Sequence, residues 1–96
     1  MADWNFLTNH ANVLLCITDE PDIRLRELAG RIGISERAVK RIVSDLEGAG
    51  FISRERMGRR NHYEVHNDAL MAGPVMRGLQ LGALLPALLP IIAQSL

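Results

Sequence analysis

Five side chains in one short stretch have the types and spacing to grip an anion, Ser35, Arg37, Lys40, Arg41 and Ser44, and Glu36 adds a first-turn backbone amide. On a helix turning ~100° per residue, with Val39 as zero, Arg37, Lys40, Arg41 and Ser44 share an arc of about 100°. Val39, Ile42, Val43 and Leu46 occupy the opposite side. One face is apolar; the other is cationic and rich in hydrogen-bond donors. Ser35 and Glu36 open the stretch, where unpaired backbone amides point at anything anionic. Guanidinium and ammonium groups on such a face hold phosphate or read guanine edges in a major groove. Four further arginines, Arg54, Arg56, Arg59 and Arg60, follow in a second cluster. The plainer alternative is a solvated surface, with Glu36 beside Lys40 and Arg37 or Arg41 beside Asp45 as intrahelical ion pairs. A lone basic helix would favour that alternative. Two separate cationic elements on one small domain instead suit a groove plus the flanking backbone or minor groove.

The total charge conceals this. The 96 residues hold 11 basic and 11 acidic side chains, so the formal net charge is zero. Yet residues 24–62 carry ten basic groups against five acidic ones, while residues 1–23 carry four acids and no base. A positive middle between acidic or neutral ends points to a polyanionic partner for the middle alone. Length and the 48% hydrophobic content indicate one small globular domain, with little room for an enclosed catalytic pocket. The single cysteine, Cys16, excludes an intramolecular disulfide framework and suits a reducing, cytoplasmic setting. The first residues, Met1-Ala-Asp-Trp-Asn-Phe, lack the basic region and apolar run of a secretory signal.

The elements that must position these groups are legible from period and caps. Thr8 is an N-cap for a helix to about Thr18, whose run Val13-Leu-Leu-Cys-Ile17 is apolar nearly all round and so central. Pro21 follows its end, and Trp4, Phe6 and Leu7 precede it as an arm on the core or on a partner. Leu25, Leu28, Ala29 and Ile32 fall on one face of a second, short helix that Gly33 stops. Ser35 caps the third helix, 35–49, and Gly50 closes it. Two helices joined by a short glycine-containing turn have helix-turn-helix spacing. After Gly50 the period changes to 2, giving a β-hairpin whose wing spans 54–62, with its turn at Gly58-Arg-Arg-Asn61. The expected fold is mainly α with a small β-hairpin, a winged helix-turn-helix over 1–66 followed by an apolar helical segment over 67–96.

Other chemistry is weakly represented. Cys16, His10, His62 and His66 invite a metal reading, but Cys16 sits in an apolar helix and His62 and His66 lie on or beside a strand. A zinc site needs about four ligands in suitable geometry, so no metal or cofactor is expected. No glycine-rich phosphate loop follows a strand and no nucleophile–base pairing is suggested, so no catalytic residue is expected.

Residues 4–66 resemble the winged helix-turn-helix domains of small bacterial MarR-type and ArsR-like transcriptional regulators. The pieces that carry the resemblance are the stretch from Leu25 to Phe51, with Leu25-Arg-Glu-Leu-Ala-Gly-Arg-Ile-Gly-Ile-Ser-Glu-Arg-Ala at its head, and Arg56-Met-Gly-Arg-Arg-Asn-His-Tyr63. It implies groove-facing positions for Ser35, Arg37, Lys40 and Arg41, and contacts from the wing by Arg59 and Arg60. It also implies a homodimer with terminal helices at the interface. Ala38 departs from the pattern, since many relatives carry threonine there and this chain has no hydroxyl to offer. The operator, the sign of regulation and any small-molecule effector are not written in these residues.

The segment from Gly78 to Leu96 has no charged residue. It has three readings: a dimerisation helix, extra core for the same subunit, or a membrane anchor flanked by Arg77. The dimer is the favoured one, with Leu79, Leu81, Leu84, Leu85, Leu88 and Leu89 as interface. Pro74 suits the first position of a helix, Asn67 or Asp68 a cap, and Pro86 and Pro90 a break or kink near Leu85. The expected function is therefore sequence-specific binding of double-stranded DNA by a homodimeric regulator. A protein-interaction module and a membrane-tethered regulator are the alternatives.

Overall fold

Three helical stripes and one alternating segment become three helices and a two-stranded hairpin. A computed structural model describes residues 7–94; Trp4 and Phe6 of the expected arm lie outside them. Helix α1 (Asn9–Asp19) starts where Thr8 Oγ1 accepts from the Ala11 N–H at 3.2 Å. Its run from Val13 to Ile17 is buried without a break, so α1 is the central post. Leu7 packs half-buried against the same core. Helix α2 (Leu25–Ile32) buries Leu28 and Ala29 and ends at Gly33. Helix α3 (Glu36–Gly48) follows after Ile34 and Ser35, its Val39, Ile42, Val43 and Leu46 buried. Packing of α2 and α3 on each other and on α1 makes the helix-turn-helix.

Strands β1 (Ile52–Met57) and β2 (Arg60–Val65) form a two-stranded antiparallel sheet with Ile52 opposite Val65, Arg54 opposite Tyr63 and Met57 opposite Arg60. The connection is therefore Gly58-Arg59 alone, shorter than the expected turn over 58–61. Gly58 has φ 66°, at the position where tight hairpins take glycine. Arg60 and Asn61 have turn-like composition but complete the ladder instead. The wing is tied to the body by the Tyr63 N–H, which donates to the Pro21 carbonyl at 2.9 Å. Next to it, His62 Nδ1 lies 2.7 Å from Asp22 Oδ1.

The tail departs furthest from expectation. Pro74 does not begin a helix; residues 74–78 are turn, inside a loop closed by a bridge between Leu70 and Gln80. Residues 67–68 are turn as well, and no helix begins there. Helix α4 (Leu81–Gln94) runs through Pro86 and Pro90 without the expected break. Each proline removes one ladder donor, but Leu81 and Leu85 on the flanking turn are 1% and 4% exposed and hold the helix on α1. Those two leucines thus belong to the chain's own core, while Leu79, Leu84, Leu88 and Leu89 are half-buried. Gly82 lets the start of α4 close on the turn at Asn67: a Cβ there would stand 2.8 Å from Asn67 Cβ and 3.0 Å from its carbonyl oxygen. Among the described residues, no helix is long and apolar enough to cross a membrane.

Candidate nucleic-acid interface

Burial of one side of α3 dictates what the other side offers. Val39 and Val43 are fully buried, Ile42 and Leu46 nearly so, and Arg37, Lys40, Arg41 and Ser44 are all exposed on the opposite arc. Ser35 is exposed too, but its Oγ accepts from the Ala38 N–H at 3.1 Å, so it caps the helix. Glu36 occupies the first helical position, with its carboxylate at the positive end of the helix.

The intrahelical ion pairs of the plainer reading do not form. Asp45 instead meets His10 Nε2 at 2.8 Å, and Glu47 meets Arg54 at 3.4 Å. Both carboxylates in the C-terminal half of α3 are therefore engaged by other elements. Arg37, Lys40 and Arg41 have no carboxylate within 4.0 Å among the described residues. Arg37, Lys40 and Arg41 therefore form a cationic surface on one exposed helical arc, without ion pairs among the described residues.

The wing arginines separate into two groups. Arg54, opposite Tyr63 in the ladder, is turned to α3 by Glu47 and braces the wing. Arg56, Arg59 and Arg60 are exposed near the tip, and Arg56 Nε donates to the Gly58 carbonyl at 3.2 Å. These three join Glu36 in lining a cleft of about 420 Å³ between the wing and the starts of α2 and α3. Arg24 and Arg26 line it as well. In the sequence these two belong to the basic segment 24–62 but to neither cationic cluster. The signal was Arg24 at an N-cap, where an acceptor side chain is the usual choice.

The metal-ligating types do not assemble. His10 and His62 pair with separate aspartates, while His66 lies 2.9 Å from the Gly50 carbonyl and 3.2 Å from Ser53 Oγ. Among the described residues no three of His, Cys, Asp and Glu form a ligand cluster. Cys16 is buried, and burial pushes its thiol above the usual 9.0, with Arg31 opposing and Asp19 and Glu20 adding to the rise. A second hollow, apolar and about 170 Å³, lies between α1, α3 and α4 against Leu14, Leu46, Phe51, Leu84 and Leu88. It falls below the roughly 300–1,000 Å³ of ordinary small-molecule sites.

The sequence model of the MarR family matches residues 8–57, from the α1 cap to the end of β1. The chain belongs to the MarR family. The helix-turn-helix of this MarR-family chain and the first strand of its wing thus carry the family sequence pattern. Its fold is similar to that of the PcaV transcriptional regulator from Streptomyces coelicolor, with TM-score 0.58 and 21% identity over 92% of this chain and 58% of that one. The same regulator in complex with its natural ligand gives TM-score 0.58 and 19% identity, over 94% of this chain and 62% of that one. The MarR-family chain therefore spans about three-fifths of the length of those structures. No curated protein matches it.

Proposed function

We propose that this MarR-family chain is a transcriptional regulator that binds double-stranded DNA, with α3 in the major groove and the wing on the flanking backbone or minor groove. One observation carries the reading: Arg37, Lys40 and Arg41 stand exposed on a single arc of α3 without an ion-pair partner among the described residues, while Asp45 and Glu47 of the same helix are engaged by His10 and Arg54. Arg37 and Arg41 suit guanine N7 and O6, Lys40 and Ser44 suit phosphate or a base edge, and Glu36 suits a cytosine amino group. Arg59 and Arg60 reach outward at the wing tip. Arg54 serves by fixing the wing against α3. The reading assigns residues 1–66 to DNA and 67–96 to subunit association, and it requires neither cofactor nor catalytic group.

The chain acts as a homodimer in this reading. With Leu81 and Leu85 used internally, the face left for a second copy is Ala83, Pro86, Ala87 and Pro90, spaced i, i+3, i+4 and i+7 and all exposed. Half-buried Leu79, Leu84, Leu88 and Leu89 border it. A two-fold dimer prefers an inverted repeat with half-sites about 10 base pairs apart, or a multiple of that spacing.

The reading is tested by fluorescence-anisotropy titration of duplex DNA at about 50 and 200 mM salt. Binding that weakens steeply with salt, and drops at least tenfold in Arg37→Ala/Arg41→Ala, supports it. Salt-independent binding, or capture of acidic proteins with no duplex binding, would favour a protein-interaction module.

A further inference from the structure

We propose that the cleft between the start of α2 and the wing seats a backbone phosphate of the bound duplex, with Arg24 and Arg26 as ligands beyond the recognition helix and the wing. The inference rests on the DNA-binding reading above. Its first support is charge. Five arginines, Arg24, Arg26, Arg56, Arg59 and Arg60, surround the cleft against two glutamates, Glu27 and Glu36. None of the five has a carboxylate within 4.0 Å among the described residues, whereas Arg31 and Arg54, outside the cleft, both do. Guanidinium groups left apart from the acids next to them are arranged for a multi-oxygen anion, which several can hold at once.

The second support is a local rule broken at this place. Helices α1 and α3 are capped by Thr8 and Ser35, whose hydroxyls accept from first-turn amides. Helix α2 has Arg24 at that position, a side chain with no acceptor and with its charge at the positive end of the helix. The one side-chain contact to this turn is long: the Arg24 N–H donates to Glu27 Oε1 at 3.4 Å. An anion in the cleft answers both faults, supplying acceptors to the first-turn amides and a counter-charge to the guanidinium.

Position decides which phosphate this is. The cleft adjoins Glu36, where α3 begins, and the wing arginines. A duplex held by both elements carries the strand between its two grooves across this opening. Arg24 and Arg26 would therefore set register on the backbone without reading sequence.

The test compares the full chain with Arg24→Gln/Arg26→Gln on two duplexes of unrelated sequence, over a series of salt concentrations. The slope of log affinity against log salt should become shallower by about 0.9 for each phosphate that the variant no longer neutralises, equally on both duplexes. Arg24→Ser is the companion variant: it supplies the missing cap acceptor, so thermal stability should hold or rise while the slope still becomes shallower. An unchanged slope in both variants, alongside a loss of binding in Arg37→Ala/Arg41→Ala, would overturn the cleft and leave the DNA reading standing. If the wild-type chain binds neither duplex, that reading fails, and inorganic pyrophosphate then probes the cleft by backbone amide NMR shifts. Shifts at Leu25, Arg26 and Glu27 would support a phosphate site independent of DNA; their absence would overturn it.

Discussion

Arg24 and Ser35 stand at equivalent places, each just before a helix, and the chain treats them oppositely. Ser35 gives its oxygen to the Ala38 amide, so Ser35→Ala should cost about 1 kcal/mol in urea unfolding. Arg24 gives no oxygen, and its replacement by serine should cost nothing. Cys16 supplies a pH signature at the same scale. Its folded thiol titrates above 9.0, because burial disfavours the thiolate. The stabilisation from burying the neutral thiol is thus complete below the unfolded value and is lost as pH rises through the folded one. Unfolding free energy should therefore fall more between pH 7 and about pH 10 in the wild-type chain than in Cys16→Ala. The caps and the buried thiol were legible from residue type alone. The cleft arginines were not, because Arg24 and Arg59 come to line one cleft only when α2 and the wing fold together.

At the scale of elements, α1 to α3 follow the sequence closely, since each has an apolar stripe and a chemically distinct stop or start. The wing differed by two residues: Arg60 and Asn61 look like turn residues, yet Gly58 alone satisfies the backbone demand and frees them to pair. Helix α4 was the least legible. The proline rule describes a ladder considered by itself, and here burial of Leu81 and Leu85 on α1 outweighs two missing donors. Because Pro86 is exposed on the single chain, Pro86→Ala restores a donor without opening a cavity in the chain's own core and should raise unfolding free energy by about 1–3 kcal/mol. Gly82→Ala should do the reverse, costing about 1–3 kcal/mol, because the new methyl meets Asn67 at 2.8 Å. Urea denaturation checks both.

Across the whole molecule, the charge separation visible along the chain becomes a separation in space. The cations of α3, the start of α2 and the wing tip stand exposed, while the uncharged tail docks on α1. The tail's dual duty alters how association must be examined. Truncation at Arg77 would remove Leu81 and Leu85 from the core along with any interface, so exposed positions are the better probes. Light scattering should give twice the chain mass for the wild type and the single mass for Ala83→Glu/Ala87→Glu, with unchanged helical circular dichroism. Whether the outward arc of α3 reads a major groove is decided by guanine N7 methylation interference on duplexes selected from a random pool. An inverted repeat should be enriched, a guanine in each half-site should interfere, and that interference should vanish in Arg37→Ala/Arg41→Ala. Selection that enriches no sequence, or interference patterns indifferent to those two arginines, would exclude α3 as the reading element.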